Sequence, residues 1–330
     1  MTILICGLGS IGRRHLRNLQ ALGRDDVVLL RTGKSTLPED ELEGLPVESE
    51  LDQALVRWRP EAVIVSNPTA LHLEVAIPSA EAGCHLLIEK PVSHTMEGIE
   101  DLRTALKRGG GRVLVGFQFR FHPGLRAVKR LLEEGTIGRV ISAHAHWGEY
   151  LPDWHPWEDY RLSYSARSDL GGGVLHTLCH PFEYLNWLGW EVESVSTEIS
   201  TFGPLELEVE DTAEVLLRFK DGILASVHLD YNQRPASHWL EIVGTEGTIR
   251  WDNTDGMVHY WTALSDQWQE TPPPNGFERN DMFLDEMRHF LNILDGKATP
   301  LCTLEDGIRV LEIVLAAHKS ASIGCRVSLK

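Results

Sequence analysis

The stretch Thr2-Ile3-Leu4-Ile5-Cys6-Gly7-Leu8-Gly9-Ser10-Ile11-Gly12 sets a four-residue apolar run directly against Gly-x-Gly-x-x-Gly. Ile3 to Cys6 has the pattern of a buried strand, and the Arg-rich segment after Gly12 reads as a helix. Gly7 permits a tight turn out of the strand. Gly9 lets the backbone approach a pyrophosphate, and Gly12 allows close packing of helix on sheet. The amides that open the helix, at Ser10, Ile11 and Gly12, then face the anion. This order is the one a dinucleotide requires; the competing reading is a glycine-rich turn in some other α/β domain.

The 330-residue length allows two domains with separate cores. A hydrophobic fraction of 42% and a charged fraction of 24% are those of an ordinary soluble protein. The formal net charge of −17 disfavours nucleic acid and anionic membrane surfaces as main partners. No stretch approaches the roughly 20 apolar residues of a membrane span, and the early apolar run is too short for a signal peptide. A cytoplasmic location is the expectation. Cys6, Cys84, Cys179, Cys302 and Cys325 are scattered, without a Cys-x-x-Cys pair, and read as small buried hydrophobes.

Through about residue 120 short apolar strands alternate with helical stretches. Val27 to Leu30, Ala62 to Ser66, His85 to Ile88 and Arg112 to Gly116 read as parallel strands, with a further short one near Pro46 to Val47. Leu51 to Trp58 and Leu71 to Ala82 read as crossover helices. The composition then shifts, because nine of the ten tryptophans lie at or beyond Trp147. Domains 1–120 and 121–330 are therefore expected, with the C-terminal helices packing back on the first. The second domain is expected to hold a helix from about Pro123 to Glu134 and one glycine-led helix from Gly173 to Leu188. Strands follow at Ile141 to Gly148, Val192 to Thr201, Thr212 to Phe219, Ile223 to Tyr231, His238 to Gly244 and Thr248 to Trp251, with turns at Asp221-Gly222 and Glu246-Gly247. They predict a largely antiparallel, open sheet. Ser265 to Asn280, with Pro272-Pro273-Pro274, reads as a loop, and two helices close the chain.

The end of the second strand, Leu30-Arg31-Thr32-Gly33-Lys34-Ser35, carries no carboxylate to bind a ribose diol. Arg31, Thr32, Lys34 and Ser35 suit a 2′-phosphate instead, which favours NADP over NAD. In the alternative, Arg31 stacks on the adenine and Lys34 is a solvated charge, and either cofactor serves.

Glu89-Lys90-Pro91 follows a parallel strand, so Lys90 stands at the carboxyl edge, where such sheets bind ligands and where a lysine polarises a substrate oxygen. His176 and His180 are four apart on the expected glycine-led helix, which places both imidazoles on one face.

Four stretches in combination identify a resemblance over essentially the full length: Gly7 to His15, Glu89-Lys90-Pro91, Gly116-Phe117-Gln118-Phe119-Arg120-Phe121-His122-Pro123, and Gly171-Gly172-Gly173-Val174-Leu175-His176-Thr177-Leu178-Cys179-His180. The chain resembles the glucose-fructose oxidoreductase, inositol dehydrogenase and rhizopine catabolism protein (Gfo/Idh/MocA) family. The resemblance implies a Rossmann dinucleotide-binding domain followed by an α/β domain whose open sheet forms the substrate cleft and often an oligomer face. It also implies hydride exchange between NAD or NADP and a hydroxyl or keto carbon of a sugar, cyclitol or nucleotide sugar. Lys90 matches the family lysine, and His180 the histidine assigned as acid or base. His176 stands where many members carry Asp, which puts the proton route in doubt. Asn67-Pro68-Thr69, His72 and Glu89 resemble the segments beside the nicotinamide, although Thr69 also suits a helix cap. Gln118 and Arg120 look like the rim between domains, where Arg120 binds an anionic substrate or forms an interdomain salt bridge.

The run from Trp147 to Arg161 offers rings for sugar faces and carboxylates for hydroxyls. It resembles members acting on amino or nucleotide sugars, with Trp154, Trp157, Tyr160, Arg161, Tyr164 and Arg167 on the substrate; the plain alternative is a loop tied to its own domain. Two rivals remain open. A zinc hydrolase would use His176 and His180 with His144, His146 or His155, and a cofactor-binding scaffold would have lost turnover. The favoured reading has no metal and a homodimer or homotetramer.

Overall fold

The computed structural model describes residues 2–31, 33, 37 and 40–329, the Asp40 side chain excepted. Thr32, Lys34 and Ser35, expected to read the cofactor's ribose, lie outside the described residues.

The chain divides into two compact units. The first comprises residues 1–118, 169–171 and 279–311. Its sheet holds β1 (Ile3–Cys6), β2 (Val27–Leu30), β3 (Val47–Glu48), β4 (Ala62–Val65), β5 (His85–Glu89) and β6 (Val113–Gly116) in the order β3-β2-β1-β4-β5-β6. All five pairings are parallel. Every residue of β1 and β4 is buried, as expected of strands covered on both faces. The connecting helices are α1 (Ser10–Ala21), α2 (Leu51–Trp58), α3 (His72–Glu81) and α4 (Ile99–Gly109). Helix α4 is flanked by Gly98 and Gly110, with Glu100 and Asp101 in its first turn and Lys107 and Arg108 in its last, matching the helix dipole. The order reverses between β1 and β4, the switch point at which doubly wound sheets bind ligands beyond the strands' carboxyl ends.

The second unit comprises residues 119–168, 172–278 and 312–330. It holds α5 (Pro123–Glu133), β7 (Val140–Gly148), α6 (Val174–Thr177), α7 (His180–Trp187), β8 (Val192–Ser200), β9 (Thr212–Phe219), β10 (Leu224–Asp230), β11 (Ser237–Gly244), β12 (Gly247–Asp252), β13 (Val258–Thr262) and β14 (Gln267–Thr271). With β15 (Val327–Ser328) the strands form a nine-stranded sheet, β14-β13-β12-β11-β7-β10-β9-β8-β15. It is antiparallel except where β7 and β10 run parallel. Strand β9 alternates buried and exposed residues, placing Ala213, Val215, Leu217 and Phe219 on the core face. Helix α5 packs on β12 and β13, and α7 on β7. The chain closes with α8 (Arg279–Leu294) and α9 (Leu304–Ile323).

Two expectations need correction. The helix expected from Gly173 to Leu188 is two helices. Pro181 sits in the first turn of α7, has no N–H for the Thr177 carbonyl, and its ring would clash with that carbonyl in a continuous helix. The break falls at Leu178 and Cys179, so His176 and His180 do not share one helical face. The loop expected over Ser265 to Asn280 begins with β14, which pairs with β13 and sets Trp261 opposite Trp268. Both strands are half exposed and polar, which weakens the alternation that marks a strand.

Candidate functional site

The glycine turn leaves β1 with Gly7 at φ +94°, a conformation that L side chains rarely adopt. A Cβ there would lie 2.5 Å from the Asn67 amide nitrogen, so the turn needs glycine for space as well. At Gly12 a Cβ would lie 1.9 Å from the Gly7 carbonyl oxygen, because α1 packs tightly on the turn. At Gly9 nothing lies within 4 Å of the Cβ position. Gly9 caps α1 and contributes no side-chain hydrogen bond to the helix's opening amides. An open face at Gly9 above uncapped amides fits a pyrophosphate. Asn67 stands beside this turn; its Nδ2 donates to the Leu71 carbonyl at 2.9 Å, whereas its buried Oδ1 has no hydrogen-bond partner among the described residues. That acceptor is available to a bound ligand.

Strands β1, β4, β5 and β6 align so that Cys6, Val65, Ile88 and Val115 form one row. Lys90 follows at the same edge. Its anchor is Glu89, whose Oε1 lies 2.8 Å from His15 Nε2 and whose Oε2 accepts the Lys90 amide at 3.2 Å. Burial alone would raise the Glu89 carboxyl; the hydrogen bond to His15 and the nearby Lys90 charge outweigh it and hold Glu89 below the usual range. Glu89 was expected to touch the cofactor, and the structure turns it inward as a brace for Lys90. His72 is braced too: its Nδ1 faces the Pro91 carbonyl at 3.0 Å and its Nε2 the Asn67 carbonyl at 2.9 Å, and burial lowers its pKa. Thr69 is buried but forms no cap, since the short 3-10 turn at Thr69–Leu71 is led by Pro68. Gln118 is buried at the end of the unit. His15 was missed as a functional residue because nothing in its local sequence names a partner 74 positions away.

At the end of β2 the Arg31 amide donates to the Glu48 carbonyl. The Glu48 carboxylate accepts from the Trp58 indole at 2.7 Å and from Arg57 at 3.1 Å, which turns it to the end of α2.

In the second unit His180 opens α7 and is buried among rings, with Phe119 4.9 Å and Trp147 5.3 Å away between centroids. Trp147 stacks on His238 at 4.3 Å. His122 caps α5 by accepting the Gly124 amide at 3.0 Å on Nδ1, and burial pushes its pKa down to about 4. Arg120, expected on substrate or in an interdomain salt bridge, is a buried partner of Glu183 within this unit. Two opposite charges out of water must satisfy each other, and this pairing removes Arg120 from the substrate set.

The residues expected on substrate are spread along one loop. Trp154 packs edge-on against Tyr231 at 5.6 Å, and the Tyr160 hydroxyl donates to the Leu205 carbonyl at 3.1 Å. Arg161 lies beside Asp159 and over the Tyr160 ring. Tyr164 is half-buried in a 3-10 turn, and Trp157 is 60% exposed. His176 Nδ1 lies 3.2 Å from His318 Nε2, with Glu210 adjoining.

Comparison with known proteins bears on this arrangement. Residues 1–117 match the family model of an oxidoreductase family with an NAD-binding Rossmann fold, and residues 125–250 match the GFO/IDH/MocA C-terminal domain. The chain belongs to the Gfo/Idh/MocA family. This family member is similar to myo-inositol 2-dehydrogenase of Thermotoga maritima, 28% identical over 341 residues and covering 97% of this chain and 96% of that one. It is also similar to 1,5-anhydro-D-fructose reductase of Ensifer adhaerens, 29% identical over 299 residues and covering 88% and 83%. A levoglucosan dehydrogenase in complex with NADH has the same fold, with a TM-score of 0.87 at 23% identity over 100% of this chain and 99% of that one. The Gfo/Idh/MocA chain is an oxidoreductase whose first domain is of the NAD-binding Rossmann type. No helix among its described residues is long and apolar enough to cross a membrane.

Proposed function

We propose that the protein exchanges hydride between a nicotinamide cofactor and the hydroxyl-bearing carbon of a sugar, cyclitol or nucleotide sugar. The observation that carries this reading is the shared edge of the parallel sheet: an open, uncapped glycine turn after β1 and a braced lysine after β5. The sugar and cyclitol names of the similar proteins support the substrate class. When bound, nicotinamide supplies or accepts the hydride. Gly9 and the amides of Ser10 to Gly12 hold the pyrophosphate, and Asn67 Oδ1 accepts from the cofactor. The Lys90 ammonium donates to the reacting oxygen, and His180 takes or returns its proton. Trp154, Trp157, Tyr160, Arg161 and Tyr164 contribute to the loop that receives the substrate.

NADP is preferred in this reading. Arg31 follows β2, and Glu48, the carboxylate at the neighbouring strand end, is taken by Trp58 and Arg57. A homodimer or homotetramer is also part of the reading, since Leu216, Leu224 and Trp239 stand on the outer sheet face, with Leu216 and Leu224 61% and 53% exposed.

Fluorescence titration with NADPH and NADH, followed by a panel of sugars, cyclitols and nucleotide sugars with both redox forms, tests the proposal. Lys90→Ala and His180→Ala should each lower turnover by roughly 100-fold or more while cofactor affinity stays within a few-fold. Normal turnover in both variants would remove them from the chemistry. Equal affinity for the two cofactors would remove the NADP preference, and light scattering reads the oligomer.

A further inference from the structure

Two groups of potential metal-binding side chains occur among the described residues, both in the second unit. In the first, His146, His228 and Asp230 are already occupied by the protein. His228 Nδ1 lies 2.6 Å from Glu214 and its Nε2 lies 3.0 Å from Asp230, while His146 Nε2 meets Gln233 at 2.5 Å. A cation held through His146 Nε2 there would have to displace the Gln233 side chain.

The second group has a different geometry. His176 Nδ1 and His318 Nε2 face each other at 3.2 Å, and Glu210 Oε1 is 3.8 Å from His318 Nε2. One donor atom from each of the three residues lies within 4.8 Å of the other two. Tetrahedral zinc with Zn–N bonds of 2.0–2.1 Å sets its nitrogen ligands roughly 3.3 Å apart. The imidazole separation therefore already has the span of a shared cation.

The three residues come from separate segments that the fold fixes. His176 lies in α6, His318 in α9 and Glu210 just before β9. The Glu210 carboxylate is seated against Gly173, where a Cβ would lie 2.3 Å from Oε1, and it accepts the Leu175 amide at 3.1 Å. His176 and Glu210 are each 7% exposed, and the His318 side chain is 30% exposed, which gives an ion a route from solvent.

We propose that His176, Glu210 and His318 form a binding site for one divalent transition cation of the zinc class. Two imidazoles and a carboxylate are donors of intermediate softness, suited to Zn²⁺ or Co²⁺ ahead of Mg²⁺ or Ca²⁺. Three protein ligands leave a fourth position for water or an exogenous ligand. The site belongs wholly to the second unit and does not depend on the dehydrogenase reading.

The test uses the full chain without a histidine tag, freed of metal by dialysis against a chelator. Co²⁺ titration is read by visible absorption, and Zn²⁺ by competition with a chromophoric chelator. One equivalent of cation per chain is expected. His318→Ala and Glu210→Gln should each weaken it roughly tenfold or more, while His228→Ala leaves it unchanged. NADH binding and thermal unfolding of each variant report an intact fold, and His318, being partly exposed, tolerates truncation. Failure of the full chain to take one equivalent overturns the proposal. So does undiminished affinity in both His318→Ala and Glu210→Gln, or loss of the cation in His228→Ala.

Discussion

His15 Nε2 lies 2.8 Å from Glu89 Oε1, so the first helix of the nucleotide-binding sheet grips the strand end that presents Lys90. Glu89 is 7% and His15 0% exposed, and the second Glu89 oxygen holds the Lys90 backbone. His15→Ala leaves a buried carboxylate short of a partner, at a cost of about 3 kcal/mol or more. It should lower both the denaturant midpoint and turnover. An unchanged midpoint would mean that the pair is not coupled to folding. Because the folded Glu89 pKa is depressed, its contribution is present above the unfolded value of about 4.3 and fades as pH falls through the lower folded value. Glu89→Gln should reduce the loss of stability in that acid window.

The three glycines separate by function. Gly7→Ala and Gly12→Ala each meet backbone at under 3 Å and should cost about 2 kcal/mol or more in urea unfolding. Gly9→Ala meets nothing of the protein within 4 Å and should leave stability within about 0.5 kcal/mol. Its effect should appear as a weakening of NADH binding of roughly tenfold or more. Full affinity in Gly9→Ala would move the pyrophosphate elsewhere.

Arg120 and Glu183 are a structural pair. Arg120→Met alone strands a fully buried carboxylate and should destabilise the protein by about 3–5 kcal/mol. The double variant Arg120→Met/Glu183→Leu should recover most of that loss. A double-mutant cycle by chemical denaturation measures the difference. Additive losses would show that the two side chains act separately.

His122 contributes a pH dependence of the opposite origin to Glu89. Its folded pKa of about 4 lies below the unfolded value of about 6.5 because burial disfavours the cation. The unfolded chain therefore binds the proton first, and stability is lost as pH falls from about 6.5 to about 4. The difference amounts to about 3 kcal/mol. His122→Asn keeps a helix-capping side chain and has no such proton. Unfolding midpoints across this range should fall less steeply in the variant; identical slopes would assign the dependence to other groups.

The segment from β1 to Gly12 was legible without coordinates because its determinants are local. A buried strand, a left-handed turn and a helix opening occupy consecutive residues, and each leaves its mark on composition. The place of Lys90 directly after β5 was legible in Glu89-Lys90-Pro91, and the alternation of Ala213 to Phe219 marked a sheet with one covered face. The sequence by itself thus determined a nucleotide-binding sheet, a second sheet with helices on it, and the residue types at the sheet edge. Only the tertiary structure decided who partners whom. His15 finds Glu89, Arg120 finds Glu183, and His176 turns to His318 and Glu210 once Pro181 breaks the helix that would have aligned it with His180. Such pairings depend on burial, which makes an unmatched charge or hydrogen-bonding group costly, and burial is set by segments far apart in the chain.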